Sequence, residues 1–116
     1  MDNLKDDVYY VKRMLKDIGF IIENTSGKDL DVLKGNELLC DSIMFRLIQI
    51  SENSIKLTSE FKARNMDIPW QAIKGLRNRI VHDYGEVELD IVYQTVTEDI
   101  PDICKKLEDA LTALTI

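Results

Sequence analysis

A chain of 116 residues, 45% hydrophobic and 31% charged, has the length and make-up of one globular domain spanning residues 1–116, able to bury a single core without staples. A net charge of −6 and a pI of about 4.7 speak against a general nucleic-acid binder, whose surface would be basic overall, although a local basic patch is compatible with them. No apolar run approaches the ~20 residues of a membrane span. The opening Met1-Asp2-Asn3-Leu4-Lys5-Asp6-Asp7 lacks the basic start and apolar run of a signal peptide, so a cytoplasmic protein without a membrane partner is expected. Two scattered cysteines, Cys40 and Cys104, and the single histidine, His82, cannot make a structural zinc tetrahedron. The cysteines read as small buried apolar residues in a reducing compartment.

Leu4, Val8, Val11, Leu15, Ile18 and Ile22 recur in steps of four and three and predict a first helix over 3–24, capped by Asp2 or Asn3. Asn24-Thr25-Ser26-Gly27-Lys28 ends it. A single helical turn is expected over 29–34, with Asp29 as its cap, Leu30 and Leu33 pointing inward, and Gly35 as its end. Asn36 is placed to cap the next element. That element reads as one long helix over about 37–64, in which Leu39, Ile43, Leu47, Ile50, Ser54, Leu57 and Phe61 keep the rhythm over roughly 40 Å. Glu52 and Asn53 fall beside its seam. Glu52 is either a partly shielded surface residue or the partner of an arginine further along the chain.

Asn65-Met66-Asp67-Ile68-Pro69-Trp70 predicts a turn into a helix over about 69–82, with proline at the first helical position. Trp70, Ile73, Leu76 and Ile80 face its core side, while Lys74, Arg77 and Asn78 lie off that stripe. Gly85-Glu86-Val87-Glu88 reads as a loop, and a last helix follows over about 89–113 with a kink at Pro101. No strand pattern survives. The expected architecture is all-α, an antiparallel up-and-down four-helix bundle with a short extra helical turn.

Arg77-Asn78-Arg79-Ile80-Val81-His82-Asp83-Tyr84 concentrates the chemistry. Arg77 carries a permanent charge with forked donors suited to phosphate. The imidazole of His82 exchanges protons near neutral pH. Tyr84 offers a phenolic oxygen. Lys62, Arg64, Lys74 and Arg79 surround them in sequence as a small positive mouth on an acidic body. On a helix, Asn78 and His82 share a face, whereas Arg77 and His82 stand about 140° apart. These residues alone also fit a plainer reading, in which the histidine complements the helix dipole, the arginine makes a surface ion pair and the tyrosine packs across the helix end.

The stretch resembles the HEPN domains, small helical proteins with R-x4-6-H motifs, and within them the HepT-like toxins, whose pattern R-x4-H-x-Y is met by Arg77, His82 and Tyr84. Ile68-Pro69-Trp70, Gly75-Leu76, Leu89-Asp90-Ile91-Val92-Tyr93 and Thr95-Val96-Thr97-Glu98-Asp99-Ile100-Pro101 extend the likeness, which covers most of the chain from about residue 36. Gly85-Glu86 departs from the aromatic and glycine that often follow the tyrosine. The resemblance implies an endoribonuclease toxin of a type VII-like toxin–antitoxin module, cleaving RNA without metal or cofactor as a homodimer or higher even-numbered assembly. His82 would then shuttle the proton and Arg77 hold the phosphate oxygens, with Asn78 and Asp83 in support. It further implies a minimal nucleotidyltransferase antitoxin that uses ATP and magnesium to adenylylate Tyr84. The alternative is a non-catalytic helical binding subunit of a nucleotidyltransferase complex.

Overall fold

The computed structural model describes residues 3–83 and 88–115, and all regular structure among them is helical, with no strand. Helix α1 (Asn3–Thr25) packs against both α3 (Glu37–Ile55) and α7 (Ile100–Thr115), and α3 packs in turn against α5 (Trp70–Asp83). Among the described residues no helix is long and apolar enough to cross a membrane.

The two-sided covering of α1 explains which of its residues go inside. Val11 and Ile18 are fully buried, as their spacing predicts, but so are Met14 and Ile21, while Leu15 and Ile22 are half-buried at the edge of the core. A helix sandwiched between two neighbours buries a wider arc than a single stripe. The wider arc takes in Asp7, Asp17 and Thr25, all buried. The expected cap at Asp2 lies outside the described residues.

At the end of α1 the chain turns through Gly27, whose φ of +74° is one that a side chain would strain. Short helix α2 (Leu30–Lys34) follows as the caps dictate: the Asp29 carboxylate accepts the Val32 N–H at 3.0 Å and Leu33 is fully buried. Asn36 then caps α3 by accepting the Leu39 N–H at 3.0 Å.

The expected single helix over 37–64 is two helices. α3 ends at Ile55, and α4 (Ser59–Arg64) starts afresh. The cause is Thr58, whose hydroxyl accepts the Phe61 N–H at 3.1 Å and caps α4. Its own N–H and O–H both donate to the buried Asp7 carboxylate of α1, at 2.9 and 2.7 Å. Two bonds to one ion hold the residue in extended backbone, which interrupts the helix. Leu57 and Phe61 stay buried through the break, so the apolar rhythm survives while the backbone bends.

The start of α5 is pinned by Trp70. Its indole N–H is shared between the carbonyls of Lys62 (3.2 Å) and Asn65 (3.0 Å), and its ring meets Phe61 edge-on at 6.0 Å. Pro69 stands just outside the helix, its carbonyl accepting the Ile73 N–H at 3.0 Å. Ile73 and Ile80 are buried, and Trp70 and Leu76 half-buried, on the predicted side. Ser51 of α3, fully buried, donates its hydroxyl to the Lys74 carbonyl at 3.1 Å and ties the two helices side by side.

The last helix neither breaks nor simply kinks at Pro101. α6 (Leu89–Gln94) passes through a π-helical turn (Thr95–Asp99) into α7. Proline has no N–H and crowds the carbonyl four residues back, and the π-turn, marked by Ile100 N–H to Thr95 O, absorbs the conflict without ending the helix.

Asp7→Ala is expected to lower the free energy of unfolding by about 1–3 kcal/mol, because it strands the buried Thr58 donors. Thr58→Ala should cost about 1 kcal/mol through the lost cap, and the double variant less than the sum. Urea unfolding followed by circular dichroism reads all three; an Asp7→Ala protein with the wild-type midpoint would contradict this role.

Candidate active site

Helix α5 carries the motif on the side that its apolar stripe leaves open. Asn78, Arg79 and His82 are exposed and Arg77 is partly covered. Arg77 turns toward α3, where its Nε lies 2.6 Å from Glu52 Oε1. On α3, Asn53 and Ser54 turn inward and are buried, which leaves Glu52 at the edge facing α5. Of the two sequence readings of Glu52, the structure selects the arginine partner. Arg77 Nη1 also reaches Asn78 Oδ1 at 3.4 Å, a long contact. With Nε engaged by the carboxylate, the Nη1–Nη2 end of the fork remains to receive two oxygens of a phosphate.

His82 sits in the last turn of α5, five residues or about 7.5 Å of helix rise beyond Arg77. Arg77, Asn78 and Glu52 therefore form one cluster and His82 stands apart from it, joined to neither Arg77 nor Asn78 by a hydrogen bond among the described residues. Asp83 ends α5, its side chain outside the description, and Tyr84 lies outside the described residues.

The basic residues do not form the single mouth that their sequence proximity suggests. Lys62 and Lys74 are close: burial and then the Lys74 ammonium push the Lys62 amine down, with the Asp7 carboxylate opposing. Arg64 is engaged by Glu60 at 2.6 Å in an exposed pair that contributes little to stability. Arg79 turns to the opposite side of α5, where it lines a groove of about 220 Å³ against Asp99 and Asp102. The helix thus separates Arg77 from Arg79, as two residues of sequence spacing require.

Neither cysteine is a nucleophile at neutral pH. Burial, then the nearby carboxylates of Asp41 and Glu37, push the Cys40 thiol up. Burial and the Glu108 carboxylate push Cys104 up to about 11. Both are free and half-buried, less enclosed than their sequence reading suggests. Among the described residues no three His, Cys, Asp or Glu side chains gather in a cluster that could hold a metal ion. One constellation escaped the sequence reading: Arg13, Lys16, Asp17, Phe45, Arg46 and Gln49 line a groove of about 280 Å³ between α1 and α3.

The chain matches the family model described as "Ribonuclease HepT-like" over residues 14–110. It is 26% identical to the "Putative RNase" of Caldanaerobacter subterraneus subsp. tengcongensis over 88% of this chain and 91% of that protein. It is 32% identical to the "Probable ribonuclease HepT" of Thermococcus cleftensis over 62% of this chain and 70% of that one. A "Putative RNase" of Methanocaldococcus jannaschii is 26% identical over 90% of this chain and 95% of its own length. No solved structure matches the chain. A family match that spans residues 14–110 takes in α3, α5 and the whole Arg77–His82 motif, and the chain belongs to the HepT-like ribonuclease family.

Proposed function

We propose that the protein is an endoribonuclease that cleaves RNA by transesterification without a metal ion, with Arg77 and His82 as its catalytic residues. The observation that carries the reading is the Arg77–Glu52 ion pair at 2.6 Å, which orients a guanidinium on an open helix face one and a half turns from the single histidine of a ribonuclease-family chain. RNA brings its own nucleophile. The 2′-oxygen bonds to the adjacent phosphorus, the bond from phosphorus to the 5′-oxygen breaks, and a 2′,3′-cyclic phosphate and a 5′-hydroxyl result. One proton leaves the 2′-hydroxyl and one reaches the departing 5′-oxygen, which is the work of an acid–base group such as His82. The free end of the Arg77 fork neutralises charge that builds on the non-bridging oxygens. Asn78, bonded to Arg77, and Asp83, beside His82 in sequence, support the two.

Each chain has one histidine, whereas the reaction uses an acid and a base, so a homodimer or higher even-numbered assembly with the motifs near the boundary completes the site. Val81, 47% exposed next to His82, is an apolar side chain suited to such a boundary. The cross-helix pairs Asp7–Thr58 and Asp17–Arg46 run in opposite order along α1 and the chain after it, which supports the antiparallel up-and-down bundle. The protein acts in the cytoplasm as the toxin of a toxin–antitoxin module. A minimal nucleotidyltransferase antitoxin silences it by transferring adenylyl groups from ATP, with magnesium, to Tyr84. An anionic adduct two residues from His82 would take the space of the RNA and the charge of Arg77.

His82→Ala and Arg77→Ala should each reduce the rate of RNA cleavage on the order of 10²–10⁴-fold without moving the urea midpoint, and Glu52→Ala should cause a smaller loss. Chelators should have no effect. Full activity in His82→Ala, or loss of activity with EDTA, contradicts the mechanism.

Incubation with the nucleotidyltransferase partner, magnesium and ATP should add adenylyl groups to the peptide that contains Tyr84 and none to Tyr84→Phe, with cleavage lost in step with modification. Mass spectrometry reads the first and an RNase assay the second. Modification elsewhere, or modified protein of undiminished activity, overturns this mode of control.

A further inference from the structure

We propose that the groove between α1 and α3 is a binding site for the single-stranded RNA that flanks the cleaved phosphate; the inference rests on the ribonuclease reading above. The chain carries a net charge of −6, yet the side chains that line this groove include three cations, Arg13, Lys16 and Arg46, and one carboxylate, Asp17. Asp17 is already committed. It holds Arg46 at 2.8 Å with little of its side chain exposed, and the Arg46 guanidinium lies 4.1 Å from the centre of the Phe20 ring. Arg46 is thus a fixed wall rather than a ligand. Arg13 and Lys16, three residues apart on the exposed side of α1, are left as neighbouring cations without a carboxylate partner in the groove.

An aromatic surface stands beside them. Phe45 is 55% exposed on α3 and takes no part in the core, and Tyr9 is 54% exposed with its phenol accepting from Arg13 at 3.2 Å. Cations that track a backbone beside exposed rings on which bases stack make the usual surface for single-stranded nucleic acid. A duplex would keep its bases stacked and out of reach of Phe45. Gln49 adds one donor and one acceptor for a base edge.

The groove also leads to the motif. Phe45, Gln49 and Glu52 follow one another on α3 in steps of four and three, which makes them a single stripe, and Glu52 is the residue that holds Arg77. From Phe45 to Glu52 the stripe rises about 10 Å. A strand whose cleaved phosphate lies on Arg77 therefore passes its neighbouring nucleotides over Gln49 and Phe45, with their phosphates toward Arg13 and Lys16.

The test uses the full chain and a fluorescein-labelled 2′-O-methyl oligoribonucleotide, which binds but cannot be cleaved. Anisotropy titrations over a range of salt compare wild type, the double variant Arg13→Ala/Lys16→Ala and Phe45→Ala, with light scattering and a melting curve on each. The double variant should bind about tenfold or more weakly and lower the salt slope by about two, one for each lost phosphate contact. Phe45→Ala should weaken binding and leave the salt slope unchanged. All should keep the wild-type mass and midpoint. Unchanged affinity and slope in the double variant overturns the proposal, as does failure of the wild type to bind at low salt. A Phe45→Ala protein that changes oligomeric mass but not affinity also overturns it, and assigns the face to a contact between copies. If the variants lose binding but wild type cleaves no RNA, the ribonuclease reading fails and the groove stands. If His82→Ala abolishes cleavage while the double variant binds normally, the groove fails and the ribonuclease reading stands.

Discussion

The buried carboxylate of Asp7 governs the path of the chain. Taking an ion out of water is costly unless donors replace its hydration, and Thr58 supplies two of them from fifty-one residues away. That bond stops α3, starts α4 and turns the chain so that α5 can lie back along α3, where Ser51 and the Lys74 carbonyl fasten it. The same carboxylate lies close enough to Lys62 to offset part of the repulsion from Lys74. A single anion on the first helix therefore sets the bend, the cap and part of the electrostatics of the motif-bearing helix.

From that arrangement the site follows. Arg77 and Glu52 meet because α5 runs beside α3 with their polar edges adjacent, and each side chain stays two-fifths exposed, so the pair is a positioning contact more than a source of stability. An arginine held by its Nε has fewer orientations to lose when it binds a phosphate, which lowers the entropic cost of catalysis. His82, a turn and a half on, is free of such restraint and open to solvent, as a group that must exchange protons requires.

Much of this was legible in the residues. The caps at Asp29 and Asn36, the apolar side of α5 and the all-helical class each rest on contacts within four residues, where spacing and side-chain chemistry decide the outcome. The motif and its family resemblance were equally local. The break at Thr58 was not legible, because its cause lies on α1 and the apolar rhythm continues through Leu57 and Phe61. The same holds for Met14 and Ile21: that α1 is covered on two sides is a fact about α3 and α7. The Lys62-to-Arg79 cluster looked continuous because sequence ignores rotation about a helix, and the groove at Arg13 and Phe45 was invisible because it joins residues more than thirty apart. At Pro101 the conflict was foreseen but its resolution, a π-turn, was not.

The central claim is that the nucleophile comes from the RNA itself, with Arg77 and His82 acting on its phosphate. Analysis of the product ends by mass spectrometry, on an oligoribonucleotide and on the same sequence with a 2′-deoxy residue at the cleaved position, tests it most directly. The account predicts 2′,3′-cyclic phosphate and 5′-hydroxyl ends from the first and no cut at the substituted position in the second. Products with 3′-hydroxyl and 5′-phosphate ends, or cleavage at the 2′-deoxy position, would contradict it.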